Sequence, residues 1–295
     1  LVAGGSGKTP VALWLAQHLR AAGAHPALVA RGWGGSAEGI REVSLVSDAD
    51  EVGDEPLLLA QRSGVPVWIG RDRAQVVEAL RRRHPAVDLV VLDDGLQHYR
   101  LARDLEIAVV DARGFGNGWR LPAGPLREAP GRLATVDAVL AHDIDPAVLR
   151  PYAGDVPIFT MSLEGAQFVR LIDAGERRTA TTFAAAPVHA VAGIGDPSRF
   201  FRHLERLGLT VRPHAFPDHH RFSAADLVFG DALAVVMTEK DAVKCRAFAQ
   251  AGHWVLPVDA VPEAGFGDWL RARLERLRAP GRGLARNRTE QGTHA

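Results

Sequence analysis

Short apolar runs recur along the chain, separated by glycine-rich and charged turns, and between them apolar residues return every three or four positions. Runs of four to six predict buried strands and the longer periodic stretches predict helices, so the alternation describes an α/β fold with a mainly parallel sheet. Leu1-Val2-Ala3 reads as a first strand, followed by glycines and a helical run from Pro10 that should end near Gly23. Residues 26–30, 65–69, 89–92 and 107–111 read as further strands, with a helix opening at Pro56 and another reaching about Arg83. Residues 36–52 are polar and acidic and read as a loop. Around residues 145–187 the pattern changes to short extended pieces such as 157–161 and 168–171, broken by Gly165 and Gly175. A second α/β pattern begins at Val188, with a strand at 234–237, a last clear strand at 254–258 and a helix from about Asp268 to Arg278. The expected organisation is a core at 1–150, a strand-rich linker at 151–187, a smaller α/β domain at 188–279 and an arginine- and glycine-rich disordered tail at 280–295.

Composition narrows the function classes. With 47% hydrophobic and 24% charged residues in 295, the chain can bury the cores of about two domains. Its 35 basic and 35 acidic residues cancel, so bulk electrostatics give no hold on nucleic acid. One cysteine, Cys245, excludes an internal disulfide framework and fits a reducing cytosol. No apolar run reaches the ~18 residues of a membrane span. The chain opens on Leu1, inside the expected first strand and without a methionine. That reads as a missing N-terminus, which leaves an upstream membrane or targeting element open.

The richest chemistry lies in Gly4-Gly5-Ser6-Gly7-Lys8-Thr9, between the first strand and the first helix. Glycines let successive backbone N–H groups turn inward, and the helix N-terminus adds partial positive charge, so such a loop can wrap a polyphosphate. Lys8 would reach the β- and γ-phosphates of ATP, and the Thr9 hydroxyl would sit on Mg²⁺. P-loop spacing calls for a glycine five residues before Gly7, where Val2 stands. A glycine-rich turn that binds nothing is the plainer alternative. Lysine is scarce, however: of 35 basic residues only Lys8, Lys240 and Lys244 are lysines, so a lysine here is not a casual choice of cation. The strand at 89–92 runs into Asp93-Asp94-Gly95, the arrangement that delivers a carboxylate to the metal and phosphate edge of such a sheet. On local evidence Asp54 and Glu55 read as carboxylates suited to the N-terminus of the helix that follows. His219 is one of 12 histidines and by itself reads as a surface residue. The loop from Gly116-Asn117-Gly118 through residues 121–128 is long for a simple connection, and long ordered loops tend to carry function.

The motifs also occur as an ordered series. Gly4 to Pro10, Arg31-Gly32-Trp33-Gly34, Gly53-Asp54-Glu55-Pro56, Arg71-Asp72-Arg73 and Asp93-Asp94-Gly95-Leu96-Gln97-His98 come first. Arg103-Asp104-Leu105, Gly116-Asn117-Gly118, Leu121-Pro122-Ala123-Gly124-Pro125-Leu126-Arg127-Glu128, Gly193-Ile194-Gly195, Asp218-His219 and Thr238-Glu239-Lys240-Asp241 follow. The series, which covers the chain to about residue 260, resembles the tetraacyldisaccharide 4′-kinase family, the lipid A 4′-kinases. Where the P-loop has its first glycine that family has a threonine, and Val2 departs from both.

The resemblance implies a P-loop NTPase-like core, a smaller C-terminal α/β domain and a strand-rich linker. It implies MgATP as phosphoryl donor and the 4′-hydroxyl of an acylated glucosamine disaccharide 1-phosphate as acceptor. It implies Lys8 and the loop from Gly4 to Thr9 on the nucleotide, with Thr9 and Asp93 or Asp94 on Mg²⁺. It also implies Asp54 as the carboxylate that takes the hydroxyl proton, assisted by His219 from the other domain, in place of a helix cap. A membrane surface at the cytoplasmic face of a bacterial inner membrane is implied by the family alone. Arg71, Arg73, Arg113 and Arg127 are candidates for the acceptor phosphate, since guanidinium binds phosphate through two parallel hydrogen bonds. A GTPase fits worse, because Asp93-Asp94-Gly95 lacks the Asp-x-x-Gly spacing and Thr238-Glu239-Lys240-Asp241 has its lysine one position late for guanine. A non-catalytic nucleotide-binding module and a kinase for another sugar or lipid are the remaining alternatives.

Overall fold

Helix α1 (Lys8–Ala21) begins on Gly7, whose left-handed backbone (φ 88°) turns the chain into the first turn without a side chain to clash. The computed structural model describes residues 7–278. The strand expected at Leu1-Val2-Ala3, the loop residues Gly4, Gly5 and Ser6, and the tail expected to be disordered lie outside the described residues. Val11, Ala12, Leu13, Leu15, Ala16 and Leu19 give α1 its buried face. All five residues of β1 (Pro26–Ala30) are buried, as a strand covered on both faces requires.

The stretch expected as loop holds two short elements, β2 (Arg41–Glu42) and α2 (Ala49–Val52). Asp48 caps α2 by accepting from the Asp50 N–H, a polar signal that a search for apolar periodicity passes over. Then come α3 (Asp54–Ser63), β3 (Val67–Ile69), α4 (Arg73–Arg83) and β4 (Leu89–Leu92). Strand β1 lies between β3 and β4, parallel to both, and β2 adds to β3 antiparallel.

After residue 95 the chain enters the smaller of two compact units, made of residues 96–161 and 262–278. Here β5 (Ile107–Asp111), β6 (Ala138–His142) and β7 (Ile158–Glu164) run parallel, with α5 (Pro146–Ala153) between β6 and β7. Leu126, Leu133, Val139 and Leu149 are fully buried in this unit's core.

The larger unit is residues 7–95 and 162–261. Its second part carries β8 (Gln167–Arg170), β9 (Arg177–Thr179), β10 (Val188–Ala192), α6 (Pro197–Arg206), β11 (Val211–Ala215), β12 (Val235–Thr238), α7 (Glu239–Cys245) and β13 (His253–Leu256). They form a six-stranded sheet in the order β11-β10-β12-β13-β8-β9, parallel through β13 and antiparallel beyond it. Of the strands between 151 and 187, β8 and β9 thus extend this sheet, and β7 pairs with β6. The strand expected to be the last ends at Leu256, where Pro257 has no N–H for a ladder, and β14 (Asp259–Pro262) and α8 (Ala264–Arg278) follow it.

Within the larger unit the two sheets share a core through one helix. Val243 of α7 is buried in the cluster that holds Leu13, Leu28, Leu57, Leu59 and Ile69 from the first sheet and its helices. Arg62 of α3 pairs with Glu239 of α7 and, at 2.6 Å, with Asp259. This packing of α7 on α3 brings residues near 54 and 240 together. Among the described residues no helix is long and apolar enough to cross a membrane.

Candidate active site

One cluster forms where α1 starts and β4 ends. Thr9 donates its hydroxyl to Oδ2 of Asp93 at 3.2 Å, and the Lys8 ammonium lies 3.6 Å from Oδ1 of Asp94. Asp93 is held as a continuation of β4, its N–H donating to the Val29 carbonyl at 2.9 Å. Asp94 then turns left-handed (φ 53°), and Gly95 follows where an added Cβ would stand 2.6 Å from the Leu92 Cβ. Burial pushes the Asp93 carboxyl up to about 7; the charges of Glu55 and Asp94 add to this, while Lys8 and the Thr9 hydroxyl work against it. A hydroxyl and a carboxylate at a helix N-terminus suit a hard cation, which takes one or two protein oxygens and fills its shell with water and phosphate. Among the described residues no group of three or more His, Cys, Asp or Glu could hold a metal on side chains alone.

A second cluster forms around Asp54, the first residue of α3. Gly53 is the N-cap and makes no side-chain capping bond, so Asp54 is not the cap that local reading gives it. Its carboxylate is buried, and Oδ2 accepts from His219 Nδ1 at 3.2 Å. Lys244 Nζ lies 3.7 Å and Lys240 Nζ 4.0 Å from the same oxygen. Burial raises the Asp54 pKa, but the His219 hydrogen bond and the charges of Lys240, His219 and Lys244 outweigh it and hold the carboxyl below its ordinary value. His219 is shifted the other way: the hydrogen bond to Asp54 raises it, burial and Lys240 oppose, and the charges of Asp54 and Asp218 add to the rise. Its left-handed backbone (φ 59°) fits the close approach of Gly34, where an added Cβ would stand 3.4 Å from Nδ1.

Sequence reasoning missed Lys240 and Lys244. Thr238-Glu239-Lys240-Asp241 is the start of α7, and each of its side chains has work there. Thr238 caps the helix by accepting from the Asp241 N–H, and Glu239 pairs with Arg62. Lys240 reaches Glu55 and Asp218, each at 3.2 Å. Fully buried Asp241 accepts from the Gly193 N–H at 2.9 Å and pairs with Lys244 at 3.0 Å. The signal was in the composition: the chain's only three lysines all lie in these two clusters.

The candidate arginines separate. Arg73 is buried and donates to the Asp93 carbonyl at 3.3 Å, so it supports the end of β4. Arg113 pairs with Asp111 at 2.9 Å, and Arg127 donates to Gln97 at 3.2 Å. Arg71 is exposed on the turn before α4. In the smaller unit the long loop is held by its own polar groups: Asn117 donates to the Ala123 carbonyl and accepts from the Trp119 N–H. Gln97 donates to Glu128 at 2.7 Å, joining the ends of two of the motifs.

The family model described as "Tetraacyldisaccharide-1-P 4'-kinase" matches residues 1–275. The tetraacyldisaccharide 4'-kinase of Azoarcus sp. (strain BH72) is 52% identical over 280 residues, 95% of this chain and 82% of that protein. That of Dechloromonas aromatica (strain RCB) is 53% identical over 261 residues, 88% of this chain and 78% of that protein. Among solved structures, LpxK from Aquifex aeolicus in complex with ATP superposes with a TM-score of 0.77 at 27% identity, covering 94% of this chain and 86% of that one.

Proposed function

The chain belongs to the tetraacyldisaccharide-1-P 4′-kinase family, and on that premise we propose that it transfers the γ-phosphate of ATP to the 4′-hydroxyl of a tetraacyl glucosamine disaccharide 1-phosphate, the step of lipid A biosynthesis that forms lipid IVA. The observation that carries this reading is the presence, in one compact unit, of the Lys8–Thr9–Asp93–Asp94 cluster and the Asp54–His219 pair.

The chemistry follows from these groups. The loop from Gly4 to Thr9 binds the ATP phosphates through its amides, and Lys8 meets the charge that builds on the γ-phosphoryl during transfer. Thr9 and Asp93, with Asp94 beside them, are the residues that would hold Mg²⁺, which neutralises phosphate charge when bound. Asp54 accepts the proton of the attacking 4′-hydroxyl. With its pKa held low it is ionised at neutral pH, ready to accept rather than already protonated. His219 fixes the orientation of that carboxylate through its Nδ1–H. We keep the same division of labour along the chain: 1–150 for the nucleotide, 188–279 supplying His219, and 151–187 linking them. Since the acceptor is a lipid, the reaction takes place at a membrane surface, which for this pathway is the cytoplasmic face of the inner membrane.

The test is transfer of labelled γ-phosphate in the presence of tetraacyldisaccharide 1-phosphate, with the product located by mass spectrometry. Phosphate gained at the 4′-position supports the reading. Turnover with a different sugar or lipid acceptor, and none with this one, would overturn it.

A further inference from the structure

The tip of the long loop in the smaller unit, residues 116–123, is exposed throughout. It carries Trp119, 66% exposed, and Leu121, 56% exposed, with Arg120 between them. Large apolar side chains left in water forgo most of the stabilisation that burial would give. The loop that holds them out is nevertheless braced by its own backbone. The N–H of Trp119 donates to the Asn117 side chain, that of Leu121 to the Leu126 carbonyl at 2.7 Å, and that of Leu126 back to the Trp119 carbonyl. The Ala123 and Gly124 N–H groups both donate to the Arg120 carbonyl, and Pro122 and Pro125 have no N–H to satisfy. Fully buried Leu126 fastens the base.

We propose that this tip is a membrane-docking element: Trp119 and Leu121 enter the boundary between headgroups and acyl chains of an anionic bilayer, and Arg120 meets the lipid phosphates. This rests on the reading that the acceptor is a lipid, met at a membrane surface. Water is scarce at that boundary, so an unpaired backbone group is costly there, and this loop directs its own N–H groups inward. Tryptophan settles at headgroup level with its ring among apolar groups. Tyr99, 65% exposed, is tied to the end of the loop by its hydroxyl, which donates to Glu128 at 2.8 Å, and supplies a second ring of that kind. Charge selects an anionic surface. From residue 112 to residue 127 the charged residues are Arg113, Arg120 and Arg127, with no Asp or Glu, in a chain whose net charge is zero. Arg113 is offset by Asp111, whereas the partner of Arg127, Gln97, is neutral, so the local excess is positive. A different exposed apolar pair, Leu45-Val46 in the larger unit, is followed by Asp48, Asp50 and Glu51, which such a surface repels.

The experiment uses the 295-residue chain and vesicles of phosphatidylglycerol with phosphatidylcholine, or of phosphatidylcholine alone, without acceptor. The chain should sediment with the anionic vesicles, less so as salt rises, and less with the neutral ones. Trp119→Ala should weaken that binding about tenfold and Arg120→Gln about fivefold, while Trp119→Phe keeps most of it. Brominated lipid should quench the unaltered chain more than Trp119→Phe, the difference being the contact of Trp119 itself. Transfer to acceptor in anionic vesicles should fall in Trp119→Ala and Arg120→Gln, and transfer to acceptor in detergent micelles should not. Sedimentation that neither substitution changes, or no sedimentation of the unaltered chain, overturns the proposal and leaves the tip to a protein partner. Transfer lost equally in micelles, with sedimentation unchanged, also overturns it and gives the tip to the acceptor. Should Trp119→Ala fail to fold, Arg120→Gln and the quenching of Trp119→Phe decide in the same way. A chain that phosphorylates some other acceptor would sink the proposed reaction, whereas sedimentation and quenching test the docking without reference to catalysis.

Discussion

Thr9 and Asp93 meet at 3.2 Å, hydroxyl to carboxylate, across 84 positions of sequence. The contact joins the first turn of α1 to the residue that continues β4, so one sheet edge presents a hydroxyl, two carboxylates and the Lys8 ammonium. The groups come as two adjacent pairs, Lys8–Thr9 and Asp93–Asp94, far apart in sequence from each other. Each pair is delivered by the end of a regular element, α1 or β4, which is why the edge is stiff enough to position phosphates.

Replacing Lys8 by alanine should therefore remove turnover and spare the fold. Its side chain is partly exposed, and its ion pair with Asp94 is a contact that stabilises by about 0–1 kcal/mol. Its action is on charge that develops in the transition state, where losing one such donor costs about 10²–10³ in rate. Melting temperature and transfer rate, measured on one preparation, check both halves. A well-folded Lys8→Ala enzyme with near-normal turnover would take the phosphate loop out of the mechanism.

Gly95 offers the converse case, a position that should matter to stability first. An added Cβ would stand 2.6 Å from the Leu92 Cβ, an atom fixed by the β4 backbone and unable to swing away. Gly95→Ala should destabilise the chain by about 1–3 kcal/mol, the usual range for overpacking. Denaturant unfolding checks this, and an unchanged midpoint would mean that the turn after Asp94 relaxes freely.

How much of this was legible in the sequence depended on the kind of signal. Strands β1, β4 and β10 are fixed by unbroken apolar runs and lie where those runs predict them. Helix α2 rests on the cap at Asp48 and on few apolar contacts, so periodicity could not find it. Asp93 and Thr9 were legible because a strand end and a glycine-rich turn mark them locally. Lys240 and Lys244 were not, since their partners Asp54, Glu55 and Asp218 come together only when α7 packs on α3. The place of Arg73 was hidden for the same reason: as sequence it is one more arginine, and only the fold buries it against the Asp93 carbonyl.

Stability should depend on pH through the Asp54–His219 pair. His219 has a raised pKa in the folded chain, so its contribution is full below the unfolded value of 6.5 and is lost as pH rises through the folded value. Asp54 has a lowered pKa, so its contribution is present above 3.8 and is lost as pH falls through the folded value. In His219→Gln the amide can still donate to Asp54 but carries no charge. The gap in melting temperature between the two proteins should be widest below pH 6.5 and narrow as pH rises past the folded His219 value. A gap that stays constant across that range would mean that His219 does not gain a proton on folding.

The sharpest test of the site is whether Asp54 and His219 act as one unit. The carboxylate takes the proton and the imidazole only holds it in place, through the bond at 3.2 Å. Asp54→Ala should then cost more than His219→Ala, about 10²–10⁴ in turnover for loss of a general base. Once Asp54 is gone His219 has nothing left to orient, so the double variant should be little worse than Asp54→Ala alone. Hydrolysis of ATP without the sugar acceptor should survive these changes better than transfer does, because it does not need a proton removed from the 4′-hydroxyl. A double-mutant cycle on kcat, run beside the hydrolysis assay, measures all three relations. Strictly multiplicative losses would separate the two residues, and Asp54 would then stand as a buried carboxylate that serves the packing of α3 against α7.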